Sequence, residues 1–445
     1  MIKGCGGIVR MAAVLPFAAI VAGAAIAGES SGTSWDEYDE FGQLRARESI
    51  QVGQRPLYLI DGMDDSRLKR RLEQCKRGPF RRTDFSIGHR GAALQFPEHT
   101  QESYVAAARQ GAGIVECDVT FTRDGELVCR HAQNDLHTTT NILTTPLAAS
   151  CARQFVPAVI DANGRTVTPA TAECRTSELS LAEFKSLRGK MDAFNPAART
   201  PEEFLGGTAA WRTDLYTGRG TVLSLRESLE LNRKLGVKHT PELKSGDAAS
   251  IAAVFGSQQA YALKLASEIR SAGVRPRDTW PQSFNVEDVL TWVEKTEYGR
   301  QAVYLLNYNA TDPVNDIVIQ APYDQMDRTE YFRMLKQRGV RIVAPPIPAL
   351  LAVDTSGKIV PSTLARDLRS MGFDVITWSL ERSDVRQGAA RAGFYYDFDS
   401  QGRAVTKDSD IYEVLDVLAR QVRIIGIFSD WPATVTYYAN CMGLR

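Results

Sequence analysis

Gly88-His89-Arg90-Gly91 sets an imidazole beside a guanidinium, between two glycines that let a ligand come close to the backbone. Such a pair suits an oxyanion such as phosphate, although a lone His-Arg pair is more often structural. Glu116-Cys117-Asp118 continues an apolar run, and strand alternation puts its two carboxylates on one face, about 7 Å apart, with Cys117 on the other. Carboxylates so placed repel unless a cation lies between them. They are read as ligands of a hard divalent cation, against the plainer reading of a solvated edge strand. The run from Val237 to Lys244 repeats the theme. Thr240, Glu242 and Lys244 share a face, and a buried Glu-x-Lys fits a third cation ligand and a phosphate-binding ammonium. His239, next to Thr240, is expected to point the other way, toward a helix layer.

Asp124-Gly125 reads as a two-residue hairpin loop, which pairs Asp118 directly with His131 and Thr120 with Cys129. The hairpin then returns His131 to within about 5 Å of the carboxylates, Cα to Cα. Two of the chain's five histidines, His89 and His131, thus fall at the proposed site.

These residues need strands to aim them. Short apolar runs at 85–87, 113–115, 127–129, 236–237, 302–306, 341–344, 373–377 and 424–427 alternate with amphipathic stretches at 101–110, 224–234, 261–271, 286–294, 363–370 and 411–420. Strand-then-helix alternation of about eight units predicts an α/β fold with a parallel sheet closed into a (β/α)8 TIM-type barrel, whose active site lies where the strands end. No G-x-G-x-x-G follows an early strand, so the dinucleotide-binding fold is not favoured. Residues 28–83 read as a polar N-terminal extension with one helix at 64–77, and 84–445 as the barrel domain. A long inserted excursion at 137–220, rich in Thr, Ala and Pro with one helix at 181–187, follows the hairpin that carries His131. It is expected to cover the barrel mouth and to restrict access to small, water-soluble diesters.

The chain has 445 residues, with 53 Lys and Arg balancing 53 Asp and Glu, which argues against an electrostatic nucleic-acid binder. After the N-terminus there is no apolar run of about 20 residues, which excludes a polytopic membrane protein. Lys3 and Arg10, the apolar stretch 11–27 and the small-x-small end Ala25-Ile26-Ala27 read as a signal peptide, residues 1–27, and predict export to the periplasm or medium without stable membrane insertion. An exported chain can keep disulfides. Cys151 and Cys174 bracket a loop-like segment and are a candidate bridge, as are Cys75 and Cys441 near the ends of the mature chain. Connectivity is left open, and no spacing supports zinc.

Ile87-Gly88-His89-Arg90-Gly91, Pro97-Glu98-His99-Thr100, Glu116-Cys117-Asp118-Val119, Asp124-Gly125, His131 and Pro241-Glu242-Leu243-Lys244 together resemble the glycerophosphodiester phosphodiesterase family. Later segments match in order: Gln282-Ser283-Phe284-Asn285, Val375-Ile376-Thr377-Trp378 and Gly426-Ile427-Phe428-Ser429-Asp430-Trp431-Pro432. The resemblance implies a barrel of the phosphatidylinositol-phospholipase-C type. It makes His89 and His131 an acid/base pair, and Glu116, Asp118 and Glu242 the ligands of one divalent metal. It also gives Arg90 and Lys244 to the phosphate and Trp378 to the glycerol side of the pocket. Two positions depart from the family pattern. His99 stands where Asn is usual, a change expected to be tolerated at the start of a helix capped by Thr100. Ala132 stands where an acidic residue usually follows the second histidine, and Asp135 is the candidate substitute.

Hard oxygen ligands select calcium or magnesium, and an exported protein favours calcium. The expected reaction is metal-dependent hydrolysis of small-molecule glycerophosphodiesters to sn-glycerol 3-phosphate and an alcohol, with no protein partner implied. One histidine would deprotonate the attacking oxygen, of water or of the neighbouring glycerol hydroxyl, while the other protonates the leaving alkoxide. The alternatives are a phospholipase-D-like or sphingomyelinase-D-like lipid phosphodiesterase on the same barrel, and a catalytically weak phosphodiester-binding protein.

Overall fold

The computed structural model describes residues 50–212, 215, 218–309 and 317–444. The expected signal peptide, 1–27, and the first part of the extension, 28–49, lie outside the described residues.

Eight parallel strands close on themselves. They are β1 (Thr83–Gly88), β2 (Ala112–Phe121), β4 (Lys238–Leu243), β5 (Gln282–Ser283), β6 (Val303–Leu305), β7 (Ile342–Ala344), β8 (Asp374–Leu380) and β9 (Gly426–Ser429). Each pairs with the next, and β1 pairs with both β2 and β9, so the sheet has no free edge in the barrel wall. A short antiparallel strand, β3 (Leu127–Cys129), hangs on β2. The barrel reading of the sequence therefore holds, with one exchange of staves. The run at 127–129 is the hairpin return, and its place among the eight is taken by β5, two polar residues with no apolar signature.

The pleat sorts side chains into two cores. Ile87, Ile114, Val303, Leu305, Ile342, Ala344, Ile376 and Phe428 fill the barrel interior. Their neighbours Val115, Tyr304, Val343, Val375 and Ile427 face the helix layer. Both faces being buried explains why the strands read as nearly continuous apolar runs. On β2 the inward set continues as Glu116 and Asp118, and β4 places Thr240 beside Glu116 and Glu242 beside Asp118. The carboxylates therefore share the interior at the strands' C-terminal ends.

The helix after β1 begins at the cap expected from sequence. Thr100 accepts from Ser103 N–H ahead of α1 (Gln101–Arg109). Ser224 and Glu227 form a capping box for α2 (Leu225–Leu235), which ends at Gly236 in the left-handed region, where a Cβ is penalised.

The hairpin register differs from the sequence reading. Thr122 N–H donates to Glu126 and Gly125 N–H to Thr122, so the loop is the three residues 123–125, with Gly125 at φ +79°. A turn followed by a left-handed residue is the standard three-residue closure. Val119 thus pairs with Cys129 and Thr120 with Val128, and Arg130, not His131, lies across from Asp118, donating its N–H to the Asp118 carbonyl at 2.8 Å. The strand ends at Cys129, so His131 is freed from the pleat's alternation and still turns into the pocket. The same shift brings Cys129 to the outer face beside Cys117, and these two are bonded, with Cα atoms 5.2 Å apart. Cys151–Cys174 and Cys75–Cys441 are the other two bridges.

Residues 50–82 carry two helices, Arg55–Gly62 and Arg67–Glu73, packed on the last helix, Pro432–Met442. Tyr437 donates its hydroxyl to the Leu72 carbonyl, and Arg55 pairs with the buried Glu381. The excursion is more than loop. Leu136, Ile142, Leu143, Leu179, Phe184, Leu187, Phe204 and Val222 form its own small core around Cys151–Cys174. Paired strands at Arg153–Val156 with Thr171–Glu173, and at Val159–Ile160 with Thr166–Thr168, make its outer part.

Candidate active site

A cavity of about 190 Å³ opens at the C-terminal ends of the strands, lined by His89, Arg90, Glu116, His131, Glu242, Lys244, Phe284, Leu305, Trp378, Tyr395 and Phe428. This is smaller than the roughly 300–1,000 Å³ of sites for drug-sized ligands. No residue of 137–220 is among those lining residues, so the expected cover over the mouth is not part of this wall. Tyr395 lines it instead, from the segment that follows β8.

Glu116, Asp118 and Glu242 are buried, and each offers an oxygen within 4.8 Å of the others. Three carboxylates in so small a space cannot all ionise without a cation. Burial, with Asp118 and Glu242 as neighbours, holds the Glu116 carboxyl well above the usual range; burial, opposed by Lys244, pushes Glu242 up to about 7. Burial would raise Asp118 too, but Lys244, His99 and Arg90 draw it well below the usual range. Asp118 Oδ1 is buried without a hydrogen-bond partner. A hard donor set, mutual repulsion and an orphaned carboxylate oxygen all fit one divalent cation.

Other contacts aim these carboxylates. Glu116 accepts from the Arg90 backbone N–H and from Gln282 Nε2, both at 2.9 Å, so the turn after β1 and the short β5 hold it from two sides. Asp118 Oδ2 is met by His99 Nε2 at 2.9 Å and lies 3.3 Å from Arg90 Nε. Lys244 donates to Glu242 at 2.5 Å and lies over the Phe284 ring. Arg90, at φ +56°, directs its guanidinium to Glu98 at 2.8 Å.

His89 and His131 both face the cavity, in different settings. His89 Nδ1 lies 2.5 Å from Asp430 Oδ1, and its Nε2 is 3.8 Å from Glu116. Burial lowers His89 to about 4 against the pull of Asp430, so the imidazole is neutral. His131 is held well below its usual value by burial and by the Arg90 and Lys244 charges. No hydrogen bond to it exists among the described residues. Asp135 does not stand in for the missing acidic neighbour: it accepts the Ala132 N–H at 3.2 Å and faces Arg130. Arg130 is itself wholly buried, donating to the carbonyls of Glu98 and His99. Trp378 packs edge-on to Phe284, its indole N–H given to the Ala344 carbonyl. His239 points outward, among Asp278 and Arg233, as its parity required.

The residues read from sequence are therefore brought together. Three partners were not read as such: Asp430 behind His89, Gln282 on Glu116, and His99 on Asp118. His99 carried a usable signal, since αL geometry before a helix favours Asn, and an imidazole there had to find a polar partner.

A family model described as "Glycerophosphoryl diester phosphodiesterase family" matches residues 89–433. The chain is 39% identical over 256 residues to an "Extracellular protein" of Arthroderma benhamiae, covering 57% of this chain and all of that one. It is 55% identical over 47 residues to a "Probable glycerophosphodiester phosphodiesterase 1" of Mycobacterium tuberculosis, 11% of this chain and 17% of that one. A solved putative glycerophosphoryl diester phosphodiesterase from Silicibacter pomeroyi superposes with a TM-score of 0.50 at 19% identity, over 84% of this chain and 98% of that one, a likeness of fold.

Proposed function

The chain belongs to the glycerophosphoryl diester phosphodiesterase family and is a phosphodiesterase; from that premise we propose that it hydrolyses small glycerophosphodiesters to sn-glycerol 3-phosphate and an alcohol, using His89 and His131 with one divalent cation. The observation that carries this reading is the buried Glu116–Asp118–Glu242 cluster facing two imidazoles, Arg90 and Lys244 across one small cavity.

Glu116, Asp118 and Glu242 would hold the cation, calcium before magnesium, and bound there it would offset phosphate charge as a Lewis acid. Arg90 and Lys244 bring two further positive charges to the non-bridging oxygens, so the diester's own charge no longer repels the attacking oxygen. The Nδ1–H of His89 is committed to Asp430, which leaves its Nε2 lone pair toward the cavity as the base. His131, without a carboxylate behind it, makes the more acidic imidazolium and is the better donor to the leaving alkoxide. A bound phosphodiester supplies the negative charge that favours its protonation. Trp378, with Phe284 and Tyr395, forms the apolar wall for the carbon skeleton, Trp378 on the glycerol side.

Residues 1–27 are assigned to a cleaved export signal, 28–83 to an extension and 84–445 to the barrel domain, with 137–220 inserted. Three disulfides and a relative named as extracellular accord with export. Among the described residues no helix is long and apolar enough to cross a membrane.

Turnover of glycerophosphocholine, with and without a chelator, tests the reading. Release of choline and sn-glycerol 3-phosphate that chelation stops is expected, with kcat/KM well above that for lysophosphatidylcholine or sphingomyelin. A clear preference for either lipid would overturn the small-diester assignment in favour of a lipid phosphodiesterase.

A further inference from the structure

Behind His89 runs a line of alternating charges that ends in the inserted segment. Asp430 takes His89 Nδ1 with one oxygen and Arg382 Nη1 with the other, at 2.5 and 3.0 Å. Arg382 turns its Nη2 to Asp192 at 3.3 Å, and Asp192 pairs on its far side with Arg212 at 2.7 Å. Arg212 also donates to the Ala93 carbonyl, in the loop that follows His89. The turn that carries Asp192 is itself pinned: Lys190 gives its ammonium to the carbonyls of Thr138, Met191 and Ala193, at 2.6–2.8 Å. Asp192 and Arg212 come from 137–220, Arg382 from just after β8, and Asp430 from just after β9.

We propose that Asp192 is a positioning residue for the acid/base histidine, acting through Arg382 and Asp430, so that the inserted segment tunes the chemical step rather than gating substrate. The inference rests on His89 being the base. An arginine shared between two carboxylates exerts only part of its charge on each. With Asp192 present, Arg382 holds one oxygen of Asp430 and so fixes the rotation of the carboxylate and the distance of its other oxygen from His89. Without Asp192, more of the guanidinium charge falls on Asp430, drawing it away from the imidazole and opposing the positive charge His89 must take up. The ring loses its orienting partner at the moment of proton transfer. Glu98, 3.7 Å from Arg382, is committed to Arg90 at 2.8 Å and so replaces Asp192 only in part.

Asp192→Asn removes the charge at constant shape, Arg212→Met removes the outer partner, and Asp192→Glu restores the charge. Thermal melting separates loss of fold from loss of function. In Asp192→Asn, kcat for glycerophosphocholine should fall roughly tenfold with KM unchanged. Arg212→Met should show a smaller fall, and Asp192→Glu should recover most of the rate. The downfield proton resonance of His89 Nδ1–H, identified by its absence from His89→Ala, should shift in Asp192→Asn. Unchanged kcat with an unmoved resonance in both Asp192→Asn and Arg212→Met would overturn the proposal, as would a rise in KM alone. If the wild-type protein does not hydrolyse glycerophosphodiesters, the functional reading fails, and the resonance by itself decides whether Asp192 reaches His89.

Discussion

His99 Nε2 stands 2.9 Å from Asp118 Oδ2, with the other ring nitrogen 3.2 Å from the Tyr104 hydroxyl. The imidazole is fully buried and spans from the start of α1 to a carboxylate on β2, so its position is set by helix and sheet together. Outer partners of this kind orient a ligand oxygen before the metal arrives. His99→Ala should weaken calcium or magnesium binding by roughly 10–100-fold in a calorimetric titration. His99→Asn should retain more affinity, because Asn tolerates the φ of +55° and keeps a donor toward Asp118. Equal affinities in wild type and His99→Ala would show that Asp118 needs no such support.

His89→Ala and His131→Ala should each lower kcat by roughly 10²–10⁴-fold, since each removes one proton-transfer group while leaving the barrel core intact. His239→Ala should leave kcat nearly unchanged, because that ring lies on the opposite face of β4. Steady-state kinetics on the three variants check this. A His239 variant as impaired as the His131 variant would contradict the assignment of faces.

Removal of divalent metal should abolish turnover and restoration of calcium or magnesium should recover it. Glu116→Gln should keep the fold but lose the metal-dependent rise in melting temperature, because a neutral amide no longer offsets the cation. Activity surviving exhaustive chelation would end the metal reading.

Asp288 gives a test of stability away from the site. It is buried in the first turn of the helix Val286–Lys295, accepting from Ser283 and Gln258, and burial raises its carboxyl to about 6. A folded-state value above the unfolded one favours the protonated form, so this stabilisation is complete below about pH 4 and is lost as the pH rises through 6. Asp288→Asn does not titrate. Its melting temperature relative to wild type should therefore rise between pH 4 and 7, by an amount equivalent to at most about 3 kcal/mol. A difference that is flat with pH would show that Asp288 keeps an ordinary carboxyl.

Most of the barrel was legible because inward and outward positions alternate by rule. Ile114, Glu116 and Asp118 had to share a face, and Thr240, Glu242 and Lys244 had to share another, whatever the strands paired with. The failures lie where a single residue decides geometry. Asp124-Gly125 fits a two-residue loop, and only the Thr122–Glu126 pairing, invisible in sequence, makes it three. Gln282-Ser283 forms a stave without any apolar residue, since neighbours on both sides supply its burial. Partners such as Asp430 and Arg382 come from strand ends far apart in the chain, and no local spacing announces them. The inserted segment looked like loop because its core residues are thinly spread: Leu143, Phe184 and Phe204 meet only after folding.

The Cys151–Cys174 bridge encloses the turn at 161–165, where residues 162–165 are exposed and the Cβ direction of Gly164 meets nothing within 4 Å. Those exposed peptide bonds are open to an extracellular protease. A cut there would sever the chain and release nothing, because both new ends remain joined through sulfur. The nicked molecule would keep its barrel and its charged line to His89, and would separate into two fragments only once reduced. In the exported protein proposed above, this exposed turn is one whose cleavage the covalent framework already contains.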